Sequence, residues 1–84
     1  MYPKDNILQE LTVLFRKELE EPELQLTYAS SPSSVEKWDS MSNLLLISAI
    51  EEQFNVQIPV EFIFSMNNIG DLCEFLVQNS SNVY

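Results

Sequence analysis

The sequence predicts an all-α fold, a four-helix bundle with a long loop between helices one and two and a short third helix. Three observations lead there. Apolar residues recur at three-and-four spacing in three separate stretches. A Pro- and Ser-rich stretch divides the first of these from the second. The 84 residues allow one small core, and leave no chain for a second lobe or for the walls of an enclosed active site. A single domain over residues 1–84 is therefore expected, and its 45% hydrophobic content is too high for a chain disordered throughout.

Helix one should span about residues 3–20. Ile7, Leu8, Leu11, Leu14, Phe15 and Leu19 form its apolar face, and Pro3 is tolerated in its first turn. Residues 21–39 hold Pro22, Pro32 and the cluster Ser30-Ser31-Pro32-Ser33-Ser34, so they read as a long loop crossing the outside of the bundle. Leu24, Leu26, Tyr28 and Val35 are available to pin it. Helix two should run over 40–54, with Asp39-Ser40 supplying capping oxygens and Asn55 a stop. Residues 60–65 alternate as a strand would, but a strand without a partner leaves its backbone groups unpaired, so a short helix is expected. Asn67-Asn68 then caps a last helix over 69–78 that buries Ile69, Leu72, Cys73 and Leu76, and a tail over 79–84 should fray.

Helix two carries the unusual feature. Ser40 to Ile50 contains no charge in a chain full of carboxylates. On a wheel of about 100° per residue, Leu46, Ile47, Ile50 and Phe54 share one side, expected to pack on helix one and the last helix. Met41, Leu45, Ser48 and Glu52 fall on the opposite side. Met41 and Leu45 are thus expected in water, unless one of them tucks beneath the long loop.

Charge and composition exclude several functions. Four Lys and Arg stand against 13 Asp and Glu, a formal net of −9, and every charged residue after Lys37 is an acid. Such a field repels nucleic acid and anionic membranes and favours partners with basic surfaces. No histidine is present, which rules out His-based nucleophile pairs and His metal sites, so no metal site is expected. The one cysteine, Cys73, sits in an apolar pattern and reads as a packing residue. The one glycine, Gly70, excludes a Gly-rich phosphate loop. No run approaches membrane-spanning length and no apolar signal sequence opens the chain, so a monomeric cytoplasmic protein is expected.

Trp38-Asp39-Ser40-Met41, the apolar helix after it, Ile50-Glu51-Glu52-Gln53-Phe54, Val56-Gln57-Ile58-Pro59 and Ile69-Gly70-Asp71-Leu72 together resemble the acyl carrier protein family in order and spacing. The resemblance runs from Val35 to Leu76, and helix one matches in length and amphipathicity. It implies that Ser40 carries a 4'-phosphopantetheine arm whose thiol holds acyl or aminoacyl cargo as a thioester, with Asp39 completing the motif. A phosphopantetheinyl transferase would install the arm from coenzyme A, and loading and transfer enzymes would handle the cargo. The carrier itself would catalyse nothing. Partner contacts are expected at Met41, Leu45, Ser48, Glu51 and Glu52. Physical chemistry agrees, since a phosphodiester at the N-terminus of a helix meets the positive end of its dipole.

Two departures refine this. Housekeeping fatty-acid carriers place acids at the second and fifth positions after the serine, where this chain has Ser42 and Leu45. Trp38 replaces the common small residue before Asp and resembles stand-alone carriers of specialised lipid, secondary-metabolite or surface-polymer pathways, with an aminoacyl or D-alanyl carrier as the alternative within the family. The rival from another class is an acidic helical adaptor without a prosthetic group.

Overall fold

The computed structural model describes residues 4–35 and 37–79, and for Ser40 the backbone alone. Four helices follow one another: α1 (Lys4–Glu18), α2 (Ser40–Phe54), α3 (Val60–Ser65) and α4 (Ile69–Asn79). Among the described residues there is no strand. Pro3, the expected start of α1, and residues 80–84 of the expected frayed tail lie outside the described residues. The sequence expectation ran α1 on to residue 20 and stopped α4 at 78.

The physical reason for the early end of α1 is a left-handed residue. Glu20 adopts φ 55, and the Glu21 amide reaches back to the Arg16 carbonyl at 2.9 Å, a Schellman closure without the usual glycine. Asn55 does the same for α2, with φ 53 and ψ 56 and its amide donated to the Glu51 carbonyl. Asparagine tolerates this region better than most residues, which is why it reads as a stop.

The core is the sum of the apolar stripes. Ile7, Leu11 and Phe15 of α1, Leu46, Ile50 and Phe54 of α2, and Ile69, Leu72, Cys73 and Leu76 of α4 are all buried, with Leu26, Val35 and Trp38 added by the loop and Ile58 by the turn before α3. The closest pairings are α1 with α2 and α1 with α4, so α1 is the element the other two long helices share. The expectation that α2 divides its stripe between α1 and α4 is corrected to that extent. Burial raises the Cys73 thiol to about 11, consistent with a packing residue.

The long loop is tied down at both ends of its course. Near its start, the Arg16 guanidinium donates to the Leu24 carbonyl and, at 3.1 Å, to the Gln25 side-chain oxygen. Further on, the Ser30 and Tyr28 carbonyls accept the Ile69 and Gly70 amides at 2.7 and 2.8 Å. These are first-turn amides of α4, which no helix can satisfy internally. Asn68 takes a third, accepting the Asp71 amide at 2.9 Å. A Cβ at Gly70 would stand 3.1 Å from the Tyr28 carbonyl oxygen, so the only glycine sits where loop and helix approach most closely. The Tyr28 hydroxyl donates to Asp5, a bond that holds the phenol protonated up to about 12.

Phe54 is 1% exposed at the end of α2. Its truncation to alanine should cost roughly 3–5 kcal/mol, a large share of what a domain of this size possesses. Urea denaturation followed by helical circular dichroism checks this, and an unchanged midpoint would place the core stripe elsewhere.

Candidate functional site

The start of α2 is built around a reciprocal cap. Asp39 has extended backbone, and one carboxylate oxygen accepts the Met41 and Ser42 amides at 3.0 and 2.9 Å. In return the Ser42 hydroxyl accepts the Asp39 amide at 2.9 Å and donates to the Lys37 carbonyl at 2.8 Å. Two orphan donors of the helix and one of the loop are thereby satisfied. The Ser42 amide is the chief reason the Asp39 carboxyl lies below its ordinary value, with the neighbouring Ser42 hydroxyl second.

Immediately before the cap, Trp38 is buried. Its ring meets Phe15 edge-on, centroids 5.0 Å apart and planes at 90°, and its Nε1 donates to Asn43 Oδ1 at 2.9 Å. A tryptophan can be buried this completely only when its N–H finds a partner, and Asn43, one turn into α2, provides it. Asp39 is therefore anchored on the core side by its predecessor and exposed on the other.

Ser40 is the first residue of α2, between exposed Asp39 and exposed Met41. Its side chain lies outside what is described. Met41 is 79% and Leu45 61% exposed, so neither tucks beneath the loop. Ser48 and Glu52 are exposed along the same face. Glu51 differs from the expectation of a partner contact. It is half-buried, and its carboxylate accepts the Ile58 amide at 2.8 Å, which ties the turn before α3 to the end of α2. A buried-side amide without a helix partner has taken this acid inward.

Sequence reasoning missed three features. Leu44 is 71% exposed beside Met41 and Leu45, and the three line a shallow apolar depression with Asp39 and Ser42. Ser42 was read only as a missing acid, although Asp-x-x-Ser is itself a capping-box spacing. Phe64 of α3 is 85% exposed, a position hidden by the ambiguity of 60–65 between strand and helix. A second recess, of about 180 Å³, lies between loop, α2 and α3 and is lined by Pro32, Trp38, Asp39, Asn43, Ile63 and Met66. No His, Cys, Asp and Glu cluster suited to a metal occurs among the described residues.

Residues 9–76 match the family model described as a phosphopantetheine attachment site. The chain belongs to this family of carrier proteins. Its fold is similar to that of the holo acyl carrier protein of Geobacter metallireducens in solution, with a TM-score of 0.80 and 27% identity over 84% of this chain and 82% of that one. The chain is accordingly a carrier and not an enzyme, and the group that goes with it is a covalently attached phosphopantetheine. The residues present fit such a group. The described turn offers a serine at the positive end of a helix of 15 residues, with its cap already formed and no cation or metal cluster required. No described helix is long and apolar enough to cross a membrane.

The cap has a pH signature. Because the folded Asp39 carboxyl lies below 3.8, its contribution is complete above the unfolded value and is lost only as pH falls through the lower, folded one. A carbon-detected titration of Asp39 should therefore show a midpoint below 3.8. A midpoint at or above that value would mean the cap is not formed in solution.

Proposed function

We propose that Ser40 carries the 4'-phosphopantetheine, and that the protein delivers acyl or aminoacyl intermediates to partner enzymes of a specialised biosynthetic pathway, in the cytoplasm. One observation carries the proposal. Within the family match, Ser40 is the residue that follows an Asp fixed as an N-cap and opens α2. When bound, the arm supplies a thiol at its far end that holds cargo as a thioester. The chain's own residues do the rest. Asp39 and Ser42 hold the first turn closed, Trp38 fixes the turn against the core, and the helix N-terminus favours the phosphodiester's negative charge.

Delivery needs a surface that partners can grip beside the attachment point. Met41 and Leu45, with Ser48 and Glu52 further along α2, supply it, and Leu44 widens its apolar part. An exposed apolar cluster of this kind is uncommon on a small soluble domain unless something binds there. The two positions where the related housekeeping carriers bear acids hold a cap hydroxyl and an exposed leucine here. Partners of this chain are thus expected to rely on apolar contact at Leu45, with basic groups meeting the acids around it. This is why a specialised pathway is the favoured setting.

The test is an intact mass. Full-length protein incubated with coenzyme A and a broad-specificity phosphopantetheinyl transferase should gain one phosphopantetheinyl group, and Ser40→Ala should gain none. Labelling of Ser40→Ala as fast as wild type would reject the assignment of Ser40. Failure of folded wild type with every transferase tried would reject the carrier reading.

A further inference from the structure

Six large apolar residues are strongly exposed among those described, and all but Val13 stand on α2 or α3: Met41, Leu44, Leu45, Val60 and Phe64. The first three belong to the surface already assigned to partners. Val60 and Phe64 do not. They are four residues apart on α3 and share its outer face, one turn above the other. Phe62 and Ile63 are half-buried on the inner side, where Phe62 packs on Phe75 with centroids 4.5 Å apart.

Folding gives no reason for Phe64. It is 85% exposed, and it is a poorer helix former than the Ala, Lys or Glu that would suit an outer position of a short helix. Its place is informative. Ile63 beside it and Met66 line one recess with Trp38, Asp39 and Asn43, so α3 borders the same cap that opens α2. The apolar residues of α3 are continuous with the neighbourhood of the attachment point.

We infer that Val60 and Phe64 form the second half of the docking surface, and that the occupant is the phosphopantetheinyl transferase, seating Phe64 in an apolar slot rimmed by basic side chains. This rests on the carrier reading and extends it to a second element. Charge selects the occupant. Glu61 lies between the two residues, Glu52 and Asp39 flank them on α2, and every charged residue beyond Lys37 is an acid. The remaining cations are engaged elsewhere: Lys4 pairs with Glu74 at 3.0 Å, Lys37 lies 4.0 Å from Glu21, and Arg16 is bound to the loop. A second copy of this chain, or an anionic bilayer, would meet like charge at this face, whereas a basic rim meets its complement. The aromatic in the middle is the residue type that most often dominates such contacts.

The experiment compares full-length wild type, Phe64→Ser and Phe64→Leu as substrates of a broad-specificity transferase with coenzyme A. Phe64→Ser should melt as wild type does yet raise KM about ten-fold with kcat within about two-fold, as loss of an interface anchor does. Phe64→Leu should recover most of the loss. Between about 0.1 M and about 1 M salt, KM should rise for all three while the ratio between Phe64→Ser and wild type holds, because screening acts on the rim charges and not on the apolar seat. Wild-type KM for Phe64→Ser, with wild type itself labelled, would overturn the inference and leave the carrier reading standing. A wild-type dimer in sedimentation that Phe64→Ser dissolves would also overturn it, by giving the face to a second copy. Folded wild type that gains no mass would remove the carrier reading and this inference together.

Discussion

Burial of Trp38 is the constraint on which the rest of the structure depends. The indole is 3% exposed, although it belongs to the loop and not to any helix. It meets Phe15 on α1 with its ring and Asn43 on α2 with its N–H, so one side chain joins the two helices to the chain that connects them. Loss of a buried aromatic of this size is worth roughly 3–5 kcal/mol, against a total of about 5–15 kcal/mol for a whole domain. The next residue is Asp39. Consecutive Cα atoms are about 3.8 Å apart, so fixing Trp38 fixes the cap, and fixing the cap fixes where α2 begins. A carrier must offer one reactive position in the same frame to several enzymes, and this arrangement provides a frame with one buried and one open side.

The long loop works as a belt for the same purpose. Its middle carbonyls occupy the first-turn amides of α4, its start is bound by Arg16, and Leu26 and Val35 are inserted in the core. Lys4 lies 4.9 Å from the centre of the Tyr28 ring and pairs with Glu74, which adds α1 and α4 to the same junction. The backbone of the loop is therefore largely satisfied by partners within the fold, as buried or closely packed chain requires. The surface left free by this belt is the outer side of α2 and α3, and that is where the exposed apolar residues gather.

Much of this was legible in the sequence, and the exceptions share a cause. Periodicity located α2 and α3 to the residue, because Asp39 and Asn55 bracket one and Pro59 precedes the other. The exposure of Met41 and Leu45 followed from the wheel, once Leu46, Ile50 and Phe54 had claimed the core. Leu44 did not, because an apolar residue at the margin of a stripe is placed only by knowing how far the neighbouring helix reaches. Glu51 could not be read inward, since the amide it satisfies belongs to Ile58, seven residues away, in a turn without its own signature. Ser42 was seen as an absent charge when it is a present hydroxyl. The bonds from the Tyr28 and Ser30 carbonyls to α4 are pure backbone and leave no trace in side-chain pattern, apart from the single glycine that makes room for them.

Trp38 is the only tryptophan of the chain, so its fluorescence reports the central claim without substitution. The account predicts a blue-shifted native emission, poorly quenched by iodide, that moves to the emission of a solvated indole at the same urea concentration at which helical circular dichroism is lost. A native emission already typical of water, or one that shifts well before the helices unfold, would contradict it, because the start of α2 would then stand without its anchor.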